Sequence, residues 1–118
     1  MQISRDEFDP IAIAVDWLDA GKLGDLDGLL DLHDERATLE CACEGVTLTG
    51  REALSAYWVS KLNSPEEDAL TLADMILTDS GVRVDYQNHE GAPVRIHFRF
   101  TPSGKIAHAS CGPLACAA

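Results

Sequence analysis

Between positions 94 and 100, apolar and polar side chains alternate without a break. Val94, Ile96, Phe98 and Phe100 fall on one side, and Arg95, His97 and Arg99 on the other. Only an extended chain places residues two apart on one face, so this is a β-strand with one apolar and one charged face. Such a strand needs neighbours for its backbone groups and a second layer over its apolar side. The following TPSG (101–104) is a hairpin turn. Ile106, Ala107, Ala109 and Cys111 form the last strand, and Gly112-Pro113 ends it. Upstream, Val82, Val84 and Tyr86 alternate with Arg83, Asp85 and Gln87, before a turn on Gly91. Leu70, Leu72, Met75 and Leu77 suggest one more strand, bulged where the alternation slips.

The covering layer comes from the first half of the chain, where apolar residues recur at helical spacing. Asp9 is placed to cap a helix that opens on Pro10, whose missing N–H costs nothing at that position. Ile11, Ala12, Val15 and Leu18 mark one face; Ile13, Ala14 and Trp17 widen it, so this helix should be largely buried. Gly21 is its expected C-cap. Asp25 then caps a Leu-rich helix carrying Leu26, Leu29, Leu30 and His33. ATLECAC (37–43) has β-forming character, Gly45 and Gly50 bracket a short turn-rich piece, and Arg51 to Leu62 is helical, with Leu54, Tyr57, Trp58 and Leu62 on one side. Asn63 to Asp68 is a polar loop. Helices first and an antiparallel four-strand meander last make the class α+β.

A chain of 118 residues forms one domain, 1–118, able to bury about two-thirds of its unfolded surface without disulfide staples. Twenty acidic against nine basic residues leave a net charge of −11. That field repels phosphate backbones and anionic bilayers, so neither nucleic acid nor a membrane is an expected partner. No stretch approaches the ~18 apolar residues of a membrane span, and MQISRDEFDP lacks a signal-peptide core, so a cytoplasmic location is expected. The four cysteines should then be thiols.

The segments GDLDGLL, DERATLE and GREALSAYW, together with FRFTPSGKI, resemble the nuclear-transport-factor-2-like superfamily, particularly its SnoaL-like and ketosteroid-isomerase-like members. The resemblance covers nearly the whole chain. It implies a cystatin-like α+β cone: three N-terminal helices packed in a strongly bent, mainly antiparallel sheet that encloses an internal pocket. It also implies pairing through the outer sheet face, and hence a homodimer.

Carried over position by position, the resemblance removes the isomerase chemistry. The carboxylate base that follows A-T-[VL]-E is replaced by Cys41, the oxyanion-hole tyrosine of the first helix by Trp17, and the protonated acid before the last hairpin by Ile96. A thiol is a poor base beside a carboxylate, and isoleucine donates nothing. The limonene-epoxide-hydrolase pattern fails at the same isoleucine. Further pocket tyrosines of the isomerases correspond to His33 and Trp58. The resemblance thus implies a pocket at which Trp17, His33, Cys41 and Trp58 meet, lined also by Cys43, Val84, Tyr86, Ile96, Phe98 and Cys111.

Each of these residues also has a plain structural role. Tryptophans at helical spacing pack cores, a histidine near a helix C-terminus suits the dipole, and thiols behave as small hydrophobes. Cys41 and Cys43, two apart on a strand, point the same way about 6–7 Å apart. A Cys41–His33 nucleophile pair would need contact and a lowered thiol pKa. The C-x-C spacing with distant Cys111 and Cys116 lacks a zinc knuckle, so no metal is expected, and no motif calls for a cofactor. Two functions remain. One is a pocket protein binding a small, largely apolar organic molecule. The other is a small isomerase, cyclase or hydratase with His33 as proton carrier.

Overall fold

A computed structural model describes residues 9–42, 45–63, 70–88 and 92–113. Three helices precede or interrupt six strands: α1 Pro10–Leu23, α2 Leu26–Asp31, β1 His33–Cys41, β2 Val46–Thr49, α3 Arg51–Asn63, β3 Leu72–Thr78, β4 Gly81–Gln87, β5 Pro93–Phe100 and β6 Ile106–Pro113. The strands form one curved mixed sheet in the order β2-β1-β6-β5-β4-β3, and the helices pack against it. α1 lies against β3 and β4, α3 against β1 and β2, and α2 joins the two other helices. This is the expected α+β architecture.

Local chemistry explains the helix ends. The Asp9 carboxylate accepts from the Ile11 N–H at 3.0 Å, with Pro10 at the first helical position, as the sequence predicts. α1 does not stop at Gly21. It runs to Leu23, and Gly24 closes it at φ 70°, the left-handed conformation that glycine adopts without penalty. Gly21 is instead a packing position: a side chain there would run into Leu70.

His33 departs further from expectation. It is not on α2 but is the first residue of β1. α2 ends early because other elements take its C-terminal carbonyls. Ile106 N–H donates to Leu32 O, the Lys105 ammonium donates to Asp31 O, both at 2.8 Å, and the His33 ring Nδ1–H donates to Leu29 O at 2.9 Å. The piece between Gly45 and Gly50 is likewise not merely a turn, for Val46–Thr49 pairs antiparallel with β1. β1 also pairs parallel with β6, which links the N-terminal strands to the meander.

Register fixes two concave rows across the sheet. Leu39, Ala109, Phe98, Val82 and Leu77 are successive partners, as are Cys41, Cys111, Ile96, Val84 and Met75. The convex face carries Glu40, Ser110, His97, Arg83 and Ile76 in one row, flanked by Arg99 with His108 and by Arg95 with Asp85 and Asp74. Trp17, Leu29, Leu54, Val84, Ile96 and Phe98 are all buried, as the alternation requires. β3 differs. Its expected bulge is present between Leu72 and Asp74, yet Leu72 and Leu77 are exposed, because β3 is the edge of the sheet.

Candidate functional site

The interior of the concave face is filled from α1. Trp17 meets the rings of Phe98, Tyr86 and Trp58 edge-on, with centroids 5.1, 5.4 and 5.6 Å away. Such T-shaped contacts place the positive ring edge on a negative ring face. Trp17, Val84 and Phe98 are therefore core residues beneath the hollow rather than on its wall.

The hollow itself lies between the second half of α3 and the concave sheet. Leu39, Cys41, Val94, Ile96 and Cys111 come from the sheet, Tyr86 from the end of β4, and Tyr57, Trp58 and Lys61 from α3. Leu70 and Asn88 complete it. Leu70 holds a φ of 60°, unusual for a branched side chain, and its N–H donates to Gln87 O at 2.6 Å. That backbone turn, at the start of β3, keeps the Leu70 side chain buried against α1. The Lys61 ammonium sits 4.1 Å from the Tyr57 ring centroid, a cation–π pair at the rim.

Among the described residues, no carboxylate and no imidazole lines this hollow. Its accessible volume is only about 30 Å³, room for roughly one or two water molecules. That is far less space than the internal pocket that the resemblance implies.

The expected residues thus divide. Cys41, Trp58, Tyr86, Ile96 and Cys111 share the hollow, whereas Trp17, Val84 and Phe98 pack behind it. Cys43 and Cys116 lie outside the described residues. His33 is not in the hollow. It stands at the opposite end of β1 from Cys41, about 25 Å away along the strand, so the two form no nucleophile pair. The reason is that α2 ends at Asp31 and β1 begins at His33, eight residues before Cys41 on the same strand.

His33 instead borders an open cleft of about 630 Å³ with Asp31, Asp34, Glu35, Arg36, Arg51 and Lys105. Three acids there face three bases, and Arg51 reaches the Asp31 carboxylate at 3.0 Å. No single-sign field results. Burial is the main force on the His33 imidazole and lowers its pKa from 6.5 to about 4; the Leu29 carbonyl bond opposes this, and nearby Arg51 adds to it. The ring is neutral at pH 7.

Six lining residues, Tyr57 among them, lie outside the expected set. Leu70, read as the first residue of a strand, lies just before β3, and Asn88 just after β4, where no periodicity marks a face. Lys61 could have been found, three residues on from Trp58 along the buried side of α3. Leu39 and Val94 follow from strand alternation with Cys41 and Ile96.

On the convex face, Asp85 is buried, not solvated as the alternation suggests. Arg95 grips it with both ends of the guanidinium, Nε to Oδ1 at 2.7 Å and Nη2 to Oδ2 at 3.0 Å. That bond holds the Asp85 carboxyl below its ordinary pKa. Thr78 Oγ1 and His97 Nε2 are hydrogen-bonded at 2.8 Å. No group of three or more metal-ligating side chains occurs among the described residues. None of their helices is long and apolar enough to cross a membrane.

No protein-family model matches the sequence, and a search of curated sequences returns no match. Solved structures do match. A SnoaL-like protein of unknown function from Burkholderia thailandensis superposes with a TM-score of 0.74 at 18% identity, over 86% of this chain and 91% of that one. A protein with a ketosteroid isomerase-like fold from Catenulispora acidiphila, in complex with trimethylamine, gives 0.69 at 21% identity over 84% and 82%. The epoxide hydrolase/cyclase-like enzyme SalBIII, of pyran ring formation in the polyether salinomycin, gives 0.68 at 22% over 94% and 95%.

Proposed function

We propose, from the premise that this chain has the nuclear-transport-factor-2-like fold, that it binds a compact, largely apolar organic molecule in the hollow between α3 and the concave sheet. The observation that carries this is the lining: aliphatic, aromatic and thiol groups inside, with the polar groups of Lys61 and Asn88 among them and, among the described residues, no carboxylate or imidazole. A ligand there would be held by burial of apolar surface and oriented by its polar end. Catalysis by proton transfer needs a group within hydrogen-bond reach of the reacting atom, and His33 is far from this hollow. Two neighbours of the same fold, one holding trimethylamine and one an epoxide hydrolase/cyclase-like enzyme, support small organic molecules as the class of ligand. Because the hollow is narrow, binding requires some of its lining side chains to shift.

The test is titration with the apolar fluorophore anilinonaphthalene sulfonate, reading energy transfer from tryptophan. Saturable binding of one probe per chain is expected, weakened at least about tenfold by Ile96→Trp or Cys111→Phe, which fill the hollow. Each variant is first checked for native near-ultraviolet dichroism. Equal binding to folded filled variants sinks the reading.

The same premise supports a homodimer through the convex face. Arg83, Arg95 and Arg99 stand there with Glu40, Asp74 and Asp85, a balanced set on a molecule of net charge −11. Like-charge repulsion between two copies is least where these faces meet.

A further inference from the structure

Cys41 and Cys111 are direct partners in the parallel pairing of β1 with β6. The Ala42 N–H donates to the Cys111 carbonyl at 2.8 Å, which pins the register at this point. Direct partners on neighbouring strands project to the same face, and both side chains border the same hollow. Neighbouring strands lie about 4.8 Å apart, within the roughly 4.4–6.8 Å between Cα atoms that a disulfide spans. Both residues are thiols. Their access differs: Cys41 is buried, whereas Cys111 is half-buried and borders, besides a shallow crevice it shares with Cys41, a second one beside Arg95 and Gly112.

We propose that Cys41 and Cys111 are a redox modification site, closing reversibly to a cross-strand disulfide in the wall of the hollow. The oxidant is a small-molecule disulfide. The more accessible Cys111, as thiolate, attacks one of its sulfurs, and the first small thiolate leaves. Cys41, losing its proton, then attacks Cys111 Sγ and expels the second. Two protein thiols are oxidised by two electrons, and the reagent's S–S bond is reduced to two thiols that carry the two protons. Side chains that face each other squarely across parallel strands meet a disulfide's Cβ spacing only with some tension, and strained bridges are the readily reduced ones. The bond is therefore one that small thiols readily reopen. It removes both thiols from the lining and ties the N-terminal strands to the meander. The site stands on strand register and does not depend on the hollow having a ligand.

The experiment uses the full chain carrying Cys43→Ser and Cys116→Ser, so that only this pair remains. The folded protein is equilibrated in graded mixtures of reduced and oxidised glutathione, quenched by alkylation and weighed intact. The expected product is lighter by two hydrogens, has the Cys41 and Cys111 peptides linked, and reverts with dithiothreitol. A further Cys41→Ala should leave Cys111 quickly glutathionylated, and a further Cys111→Ala should leave Cys41 reacting at least about tenfold more slowly. Far-ultraviolet dichroism confirms that each variant is folded. A chain carrying two glutathiones and no internal link overturns the proposal. So does a link that appears only after denaturation. Probe binding to the reduced protein is measured separately, so failure of the ligand reading and failure of the disulfide give different results.

Discussion

The indole of Trp17 stands edge-on to that of Trp58, their centroids 5.6 Å apart and their planes at 81°. Trp17, which the sequence resemblance sets against the isomerases' oxyanion-hole tyrosine, is almost fully buried. The contact joins α1 to α3 within the core beneath the hollow. It supports the fold and also limits the room beside Trp58.

Replacing Trp17 tests both consequences. Trp17→Ala should lower the unfolding free energy by about 3–5 kcal/mol, through lost transfer energy and an unfilled cavity. Trp17→Phe, which keeps an aromatic ring against Phe98 and Tyr86, should cost less. If the folded alanine variant is recovered, its enlarged hollow should bind the apolar fluorophore more tightly than the parent. Urea unfolding and the same titration provide the two readings. A loss below about 1 kcal/mol would show that the surrounding rings collapse into the space.

The half-buried imidazole of His33 makes stability depend on pH in a defined window. The unfolded chain takes up this proton near 6.5 and the folded chain only near 4, so between those values the unfolded state binds more protons. Stability is complete above 6.5 and is lost as pH falls toward 4, by on the order of 2 kcal/mol. His33→Gln should flatten that slope. Asp85 acts separately. Its carboxyl is held below 3.8 chiefly by the Arg95 hydrogen bond, so its contribution is present above that value and fades only at more acid pH. Burial also lowers the pKa of His97, so urea midpoints measured from about pH 7.5 to 4.5 are compared between the parent and His33→Gln, and the difference belongs to His33. An unchanged slope in His33→Gln assigns the dependence elsewhere.

For the proposed homodimer, light scattering at micromolar concentration should give twice the monomer mass. Arg83→Glu combined with Arg99→Glu turns the balanced convex face acidic and should yield monomers with unchanged dichroism. A parent protein that is monomeric throughout, or a dimer indifferent to the double charge reversal, rules out this face. A stable pairing should bury at least about 1,000 Å².

Much of the fold was legible because its periodicities are local. The alternation from Val94 to Phe100 places Ile96 and Phe98 inside with one face wet, whatever the neighbours, since a one-residue slip would expose the whole apolar set. Asp9 and Pro10 fix the start of α1 by the same local logic. The end of α2 was not legible. It depends on Ile106, 74 positions after the Leu32 carbonyl that its N–H engages at 2.8 Å, and no window around His33 contains that partner. β2 escaped notice for a similar reason: four residues carry too little pattern, and pairing with β1 makes them a strand.

At the candidate site the same division holds. By itself the sequence showed what the resemblance lacks at three positions: a thiol at 41 is a poor base and an isoleucine at 96 donates nothing, although the indole at 17 can still donate a hydrogen bond. It also determined the apolar face that the hollow is made from. Only the tertiary structure decided that His33 and Cys41 lie at opposite ends of one strand, that the hollow is nearly filled, and that Cys41 faces Cys111. Residue type is a local property, whereas distance across the sheet depends on strand order and register, which long-range hydrogen bonds set.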